Sequence, residues 1–159
     1  MADATGLRLR AEDAEDLAVI SACLQDALVA VRDVAYDPAA RSFVLVANRF
    51  RWEGGRSGEA TNDAAFERTL CGVEFEQIDG VAYRGFNRTE EDRILSLLAI
   101  RSTSVSTAPT ASTGTVIDLE FAGDATIRLS ASAVRCRARD FGEPWPTAWQ
   151  PGHELDDTR

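Results

Sequence analysis

The sequence contains no lysine: its 17 basic residues are all arginine, set against 26 Asp and Glu. Mechanisms that depend on a lysine are therefore excluded, including the P-loop lysine, the Schiff-base lysine of pyridoxal enzymes and the kinase lysine. Histidine is almost as scarce. His153, the one example, lies in "QPGHELDD", and it builds a metal site or a Ser-His-Asp triad only if this segment folds back to distant partners. "HELDD" lacks the second histidine of a zincin helix, so an exposed tail is the expected setting. Cysteine is limited to Cys23, Cys71 and Cys136, with no CxxC pair. An odd, scattered set fits reduced thiols, and the three are expected as small buried apolar residues. No run reaches the roughly 18 apolar residues needed to span a bilayer, and "MADATGLRLRAEDAEDL" has no apolar signal-peptide core. The expectation is a soluble, cytoplasmic protein without a membrane role.

What is present describes an ordinary globular chain. At 159 residues, 45% hydrophobic and 27% charged, it has the size of one domain, able to bury roughly 70% of its unfolded surface. We expect a single domain over residues 1–153 and a flexible tail over 154–159. The net charge of −9 opposes binding to phosphate backbones, which needs a basic face, so no nucleic-acid partner is expected. The all-arginine, alanine-rich composition is what a high-GC coding sequence produces.

From Asp13 to Leu28, apolar Leu17, Ile20, Leu24, Ala27 and Leu28 recur at helical spacing behind an acidic start suited to capping. Everything after this amphipathic helix reads as strand and turn. Residues 28–36 and 42–52 flank "DPAAR", whose Asp37 and Pro38 suit the opening of a type I turn. Asp79-Gly80 signals a hairpin turn, with a single bent strand bulged near Ile78 as the alternative. "EEDRILSLLAIRS" is read as a buried strand in preference to a short helix. The Ser/Thr-rich residues 102–114 are expected as a loop, and Gly123-Asp124 as a turn between two strands. In the strand from Ala133 to Arg139, Val134, Cys136 and Ala138 should be buried and the intervening arginines wet. "VEFEQI" and "LSASAV" match in pattern at an offset of 56 residues, a weak internal repeat. The fold expected is α+β: a mostly antiparallel sheet of about eight strands, an open barrel or sandwich, with two similar four-stranded halves if the repeat is real.

Few residues carry a chemical signature. "DFG" at Asp140–Gly142 has no catalytic loop or lysine to accompany it, and the glycine-rich "EGGRSGEATND" (53–63) has no Lys-Ser/Thr to make it a phosphate cradle. Through "VLVANRFRWE" (44–53), alternation places Phe43, Leu45, Ala47, Arg49, Arg51 and Glu53 on one face. The other carries Val44, Val46, Asn48, Phe50 and Trp52. The second face is apolar apart from Asn48, which, if buried there, should hydrogen-bond to backbone. Arg49 and Arg51 read as surface arginines of an exposed strand end, or as forked donors to a carboxylate with Trp52 nearby. In "GEPWPTAWQPGH", Trp145 and Trp149 either strap the tail across the sheet or anchor a partner.

The runs "LAVISACLQDA", "VANRFRWE", "LSLLAIR" and "ATIRLSASAVRCRARDFGEPW" resemble a family of small alphaproteobacterial proteins classed as a domain of unknown function. The resemblance covers Leu7 to about His153 and implies no assigned chemistry. Two functions are consistent with the whole. The leading one is a non-enzymatic domain that binds a protein partner or itself, through Arg49, Arg51, Trp52, Trp145 and Trp149. The alternative is a binding protein or enzyme for an anionic metabolite, with Arg49, Arg84 and Arg137 lining one pocket. No cofactor or metal is expected for either.

Overall fold

Asp13 opens the helix by accepting the Asp16 amide on its carboxylate at 2.8 Å, as the acidic start anticipates. In the computed structural model, which describes residues 6–51, 67–107 and 112–146, this helix, α1, spans Ala14–Cys23. It buries Leu17 and Ile20 and leads into buried Leu24. It ends short of the expected Leu28 because Asp26 reverses the chain at φ 66°. The Asp26 amide then donates to the Leu97 carbonyl, and the Leu97 amide to Ala27, both at 2.8 Å. From there the backbone is committed to a strand neighbour.

Ten strands follow in chain order around this helix: β1 (Arg8–Ala11), β2 (Leu28–Ala30), β3 (Val34–Asp37), β4 (Ser42–Phe50) and β5 (Glu67–Glu76), then β6 (Ile78–Arg84), β7 (Ile94–Thr107), β8 (Ser112–Phe121), β9 (Ala125–Ala131) and β10 (Cys136–Pro146). They form one antiparallel sheet in the order β1-β10-β5-β4-β2-β7-β8-β9-β6, with β3 beside β4. The α+β expectation holds. The sheet is bent and open, not a closed barrel, and has ten strands rather than about eight. One reason is that residues 28–36 are two strands, split by a 3-10 turn at Val31–Asp33.

The Asp37-Pro38 turn forms as expected. Asp37 Oδ1 accepts the amides of Ala39 and Ala40, and β3 pairs with β4 from Asp37↔Ser42 onward. The Asp79-Gly80 hairpin does not form. Gln77, at φ 64°, is a corner between β5 and β6, and Asp79 sits at a bulge where β6 meets β9, so the bent-strand alternative is the correct one. The two strands of this bend separate into different halves: β5 lies against β10 and β6 against β9. Strands β6–β9 are therefore a contiguous block of the chain inserted between β5 and β10. The Ser/Thr-rich stretch is also largely strand, since β7 continues to Thr107 opposite Ser112. Long cross-strand pairing holds its β-branched residues where composition alone reads as loop. Likewise the tail begins inside the sheet, with Trp145 opposite Arg68 in the backbone register, and does not cross over it there.

Phe43, Phe75, Ile117, Leu119, Ile127 and Leu129 are among the fully buried residues of the core, each contributing about 1.5–3 kcal/mol by leaving water. Val134, Cys136 and Ala138 are buried and Arg135, Arg137 and Arg139 exposed, as alternation requires. Cys71 and Cys136 are buried and Cys23 half-buried. Burial pushes the Cys71 thiol up to about 12 and raises that of Cys136. Since the thiolate is the reactive form, Cys71 and Cys136 are expected to resist iodoacetamide in the folded protein at pH 8 and to react once it is unfolded. Mass spectrometry of labelled protein checks this.

Candidate ligand-binding cleft

β3 pairs with β4 alone and β6 with β9 alone among the described residues. Each presents a free strand edge with unpaired main-chain donors and acceptors. Between them lies a cleft of about 450 Å³, whose walls include Val34, Tyr36, Val81, Tyr83 and Phe86 and whose rim includes Arg32, Arg88 and Glu91. That volume falls in the range of small-molecule sites, roughly 300–1,000 Å³, and the apolar wall with a few polar groups is their usual lining.

Local sequence explains why the seam stays open. The 3-10 turn after β2 draws the chain toward residues 91–93, where Val31 donates to the Arg93 carbonyl (2.9 Å) and Arg32 to that of Glu91 (3.2 Å). β3 returns to β4 with its other edge uncovered. Opposite, β6 ends at Arg84 and is followed by Gly85, whose φ of +86° is open to glycine at little cost. A Cβ there would lie 2.3 Å from the Asp124 carbonyl oxygen. The reversal that follows is stiffened by Asn87, whose side chain accepts from the amide and hydroxyl of Thr89 at 3.0 and 2.8 Å. The result presents Phe86 edge-on to Tyr83, ring centres 6.0 Å apart, and holds the Arg88 guanidinium 4.3 Å over the Tyr83 ring.

One end of the seam is latched. The Tyr36 hydroxyl donates to the Ile78 carbonyl (3.2 Å), the Ile78 amide to the Arg41 carbonyl (2.9 Å), and the Arg41 side chain to Asp79 (2.6 Å) and Ser132 (2.8 Å). At the rim, Arg32 forms an ion pair with Asp92. Arg88 has no carboxylate partner among the described residues, so it is the rim cation available to an anion. Burial raises the Tyr83 hydroxyl above its ordinary value and Arg88 offsets part of the rise, so Tyr83 is a neutral phenol at pH 7.

The residues singled out from sequence occupy other environments. Arg49 is fully buried on the core face, gripping Asp140 through Nε and Nη2 at 2.9 and 2.8 Å. The expectation of an exposed strand end is thus corrected: the face with Phe43, Leu45 and Ala47 is the inner one, and the inward parity carries Arg49 with it. Arg51 pairs with Glu67 and is 11% exposed. Asn48, expected to find a backbone partner if buried, is half-buried, and its side-chain oxygen accepts from Arg68 Nε at 2.6 Å. Arg137 projects from the outer face of β10 to Glu74 (2.7 Å) and Glu76 (3.1 Å). Arg84 is exposed at the end of β6. Arg49, Arg84 and Arg137 are therefore not brought into one pocket. Trp145 is in β10, and Trp52, Trp149, His153 and the glycine-rich 53–63 segment lie outside the described residues.

The cleft residues Tyr83, Phe86 and Arg88 escaped the sequence reading, which drew Arg84 from the same "AYRGFNR". A signal was present: two aromatics and an arginine at close spacing around a glycine.

A family model described as a protein of unknown function, DUF2948, matches residues 7–153. The chain belongs to this family. Every residue of the cleft falls within the matched region. No curated protein and no solved structure matches the chain. Among the described residues, no helix is long and apolar enough to cross a membrane.

Proposed function

We propose that this member of the DUF2948 family is a non-catalytic binding module that holds a small anionic molecule in the cleft between β3 and β6. The observation that carries the reading is Arg88: a cation without a carboxylate partner among the described residues, seated on Tyr83 at the rim of an aromatic-walled cavity between two strand edges. The buried thiols and the committed arginines add no nucleophile or base to this site. Thermal-shift screening against anionic metabolites tests it, because a ligand that binds the folded state raises the melting temperature by mass action. A specific stabiliser of the wild type should lose its effect in Arg88→Gln. A stabiliser that acts equally on both proteins places the site elsewhere.

A second reading, association with a protein partner or a second copy, is supported by one observation. Leu28, Ile94 and Leu98, 37%, 55% and 48% exposed, are neighbours on the outer side of β2 and β7, where Leu28 lies opposite Ser96. Sedimentation over a wide concentration range is expected to show a reversible dimer if this patch self-associates, and a monomer throughout if it does not.

A further inference from the structure

Resting on the cleft reading above, we infer that the ligand class is a planar aromatic monocarboxylate. The charge at the rim selects the number of negative charges. Arg32 is already neutralised by Asp92, and Glu91 adds a negative charge beside the cleft. Among the described lining residues, Arg88 remains as the one unpaired cation, and a single carboxylate is the anion that least exceeds its charge. A phosphate monoester carries about −1.5 to −2 charges at pH 7 and meets Glu91 with one guanidinium to offset it.

The donor type suits a carboxylate head group. A guanidinium carries its N–H donors in its own plane, so a carboxylate docks on its edge through two parallel hydrogen bonds. Arg88 keeps its face on Tyr83 while doing so. A phosphate can dock on the same fork, but a phosphate cradle adds successive backbone amides or a helix N-terminus. The N-terminus of α1 is capped by Asp13, and no residue of α1 is among those lining the cleft.

The walls select the body. Tyr36 and Val34 come from one strand edge and Tyr83, Val81 and Phe86 from the other side, all partly buried against the core. A flat ring entering between the two strands exchanges water for aromatic and aliphatic contacts on its faces, and aromatic pairs add to the area term. A small aliphatic acid has the charge but not the faces; a neutral arene has the faces but not the charge.

Isothermal titration with 2-naphthoate, 2-naphthalenemethanol, acetate and inorganic phosphate separates these contributions. The wild type is expected to bind 2-naphthoate saturably at one site, with acetate and phosphate at least tenfold weaker. Arg88→Gln, a change at an exposed side chain, should weaken naphthoate between about ten- and a hundredfold, the loss of a charge-assisted pair. The alcohol should bind wild type and variant alike. Phosphate binding as tightly as naphthoate, with loss in Arg88→Gln, overturns the aromatic carboxylate while the anion-binding cleft stands. Naphthoate and the alcohol binding equally in both proteins overturns the role of the charge. No binding by any of the four overturns the ligand class, and anion binding that resists Arg88→Gln overturns the cleft itself.

Discussion

Asp140→Asn is expected to lower folding stability by about 3–5 kcal/mol, because it takes the countercharge away from a fully buried arginine. Arg49 is fully buried and the Asp140 side chain only 5% exposed. The carboxylate also accepts the Leu7 amide at 2.8 Å, so one side chain ties β4, β10 and the entry to β1. Burial alone would raise the Asp140 carboxyl. The hydrogen bonds from Arg49 and Leu7, with the charge of Arg49, more than offset burial and leave it below its ordinary value. The sign of the pH dependence follows. A depressed carboxyl contributes stability that is fully present above the unfolded-state value, roughly 3.9, and is lost as pH falls through the folded one. Denaturant titrations should therefore show wild type losing more stability than Asp140→Asn between pH 5 and pH 3. Removing both charges with Arg49→Met and Asp140→Leu should cost less than either single change, since the pair is expensive mainly when halved. Equal stability of Asp140→Asn and wild type at pH 7 would sink this account.

Gly85→Ala is the second large effect. At φ +86° an L-residue pays roughly 1–2 kcal/mol, and the new Cβ sits 2.3 Å from the Asp124 carbonyl oxygen and 2.8 Å from the Ala125 Cα. Backbone cannot rotate away as a side-chain tip can, so overpacking of about 1–3 kcal/mol adds to the strain. We expect a total loss of about 2–5 kcal/mol by urea denaturation. The displacement falls just before Phe86 and Arg88, so ligand affinity should drop more in this variant than in one of equal stability altered in the distant core, such as Ala138→Gly. A variant with wild-type stability would show that the turn relaxes freely.

Strand positions were legible where parity alone decides them. The register from Val134 to Arg139 and the Asp37-Pro38 turn follow from alternation and turn chemistry, and the helix start follows from Asp13. Parity misled at β4, where the outer face Val44, Val46 and Phe50 is as apolar as the inner one. Hydrophobicity cannot rank two apolar faces, and the deciding feature was a distant carboxylate, Asp140, able to receive an inward arginine. The corner at Gln77 was ambiguous for a related reason. Asp-Gly favours a turn locally, but pairing of β6 with β9 across more than forty residues outweighs it. The cleft was legible only in its local half. Tyr83, Phe86 and Arg88 stand close in sequence, whereas Val34 and Tyr36 join them because β3 is left without a second neighbour among the described residues, a property of the sheet as a whole.

The measurement that bears most directly on the cleft is a methyl and amide NMR titration of the intact protein with 2-naphthoate. Saturable shifts should centre on Val34, Val81, Tyr83 and Phe86, with the Arg88 side-chain resonances moving on the same binding curve. Shifts centred instead on β1 and β10, or on the outer face around Leu28 and Ile94, would contradict the assignment of the seam between β3 and β6 as the binding site.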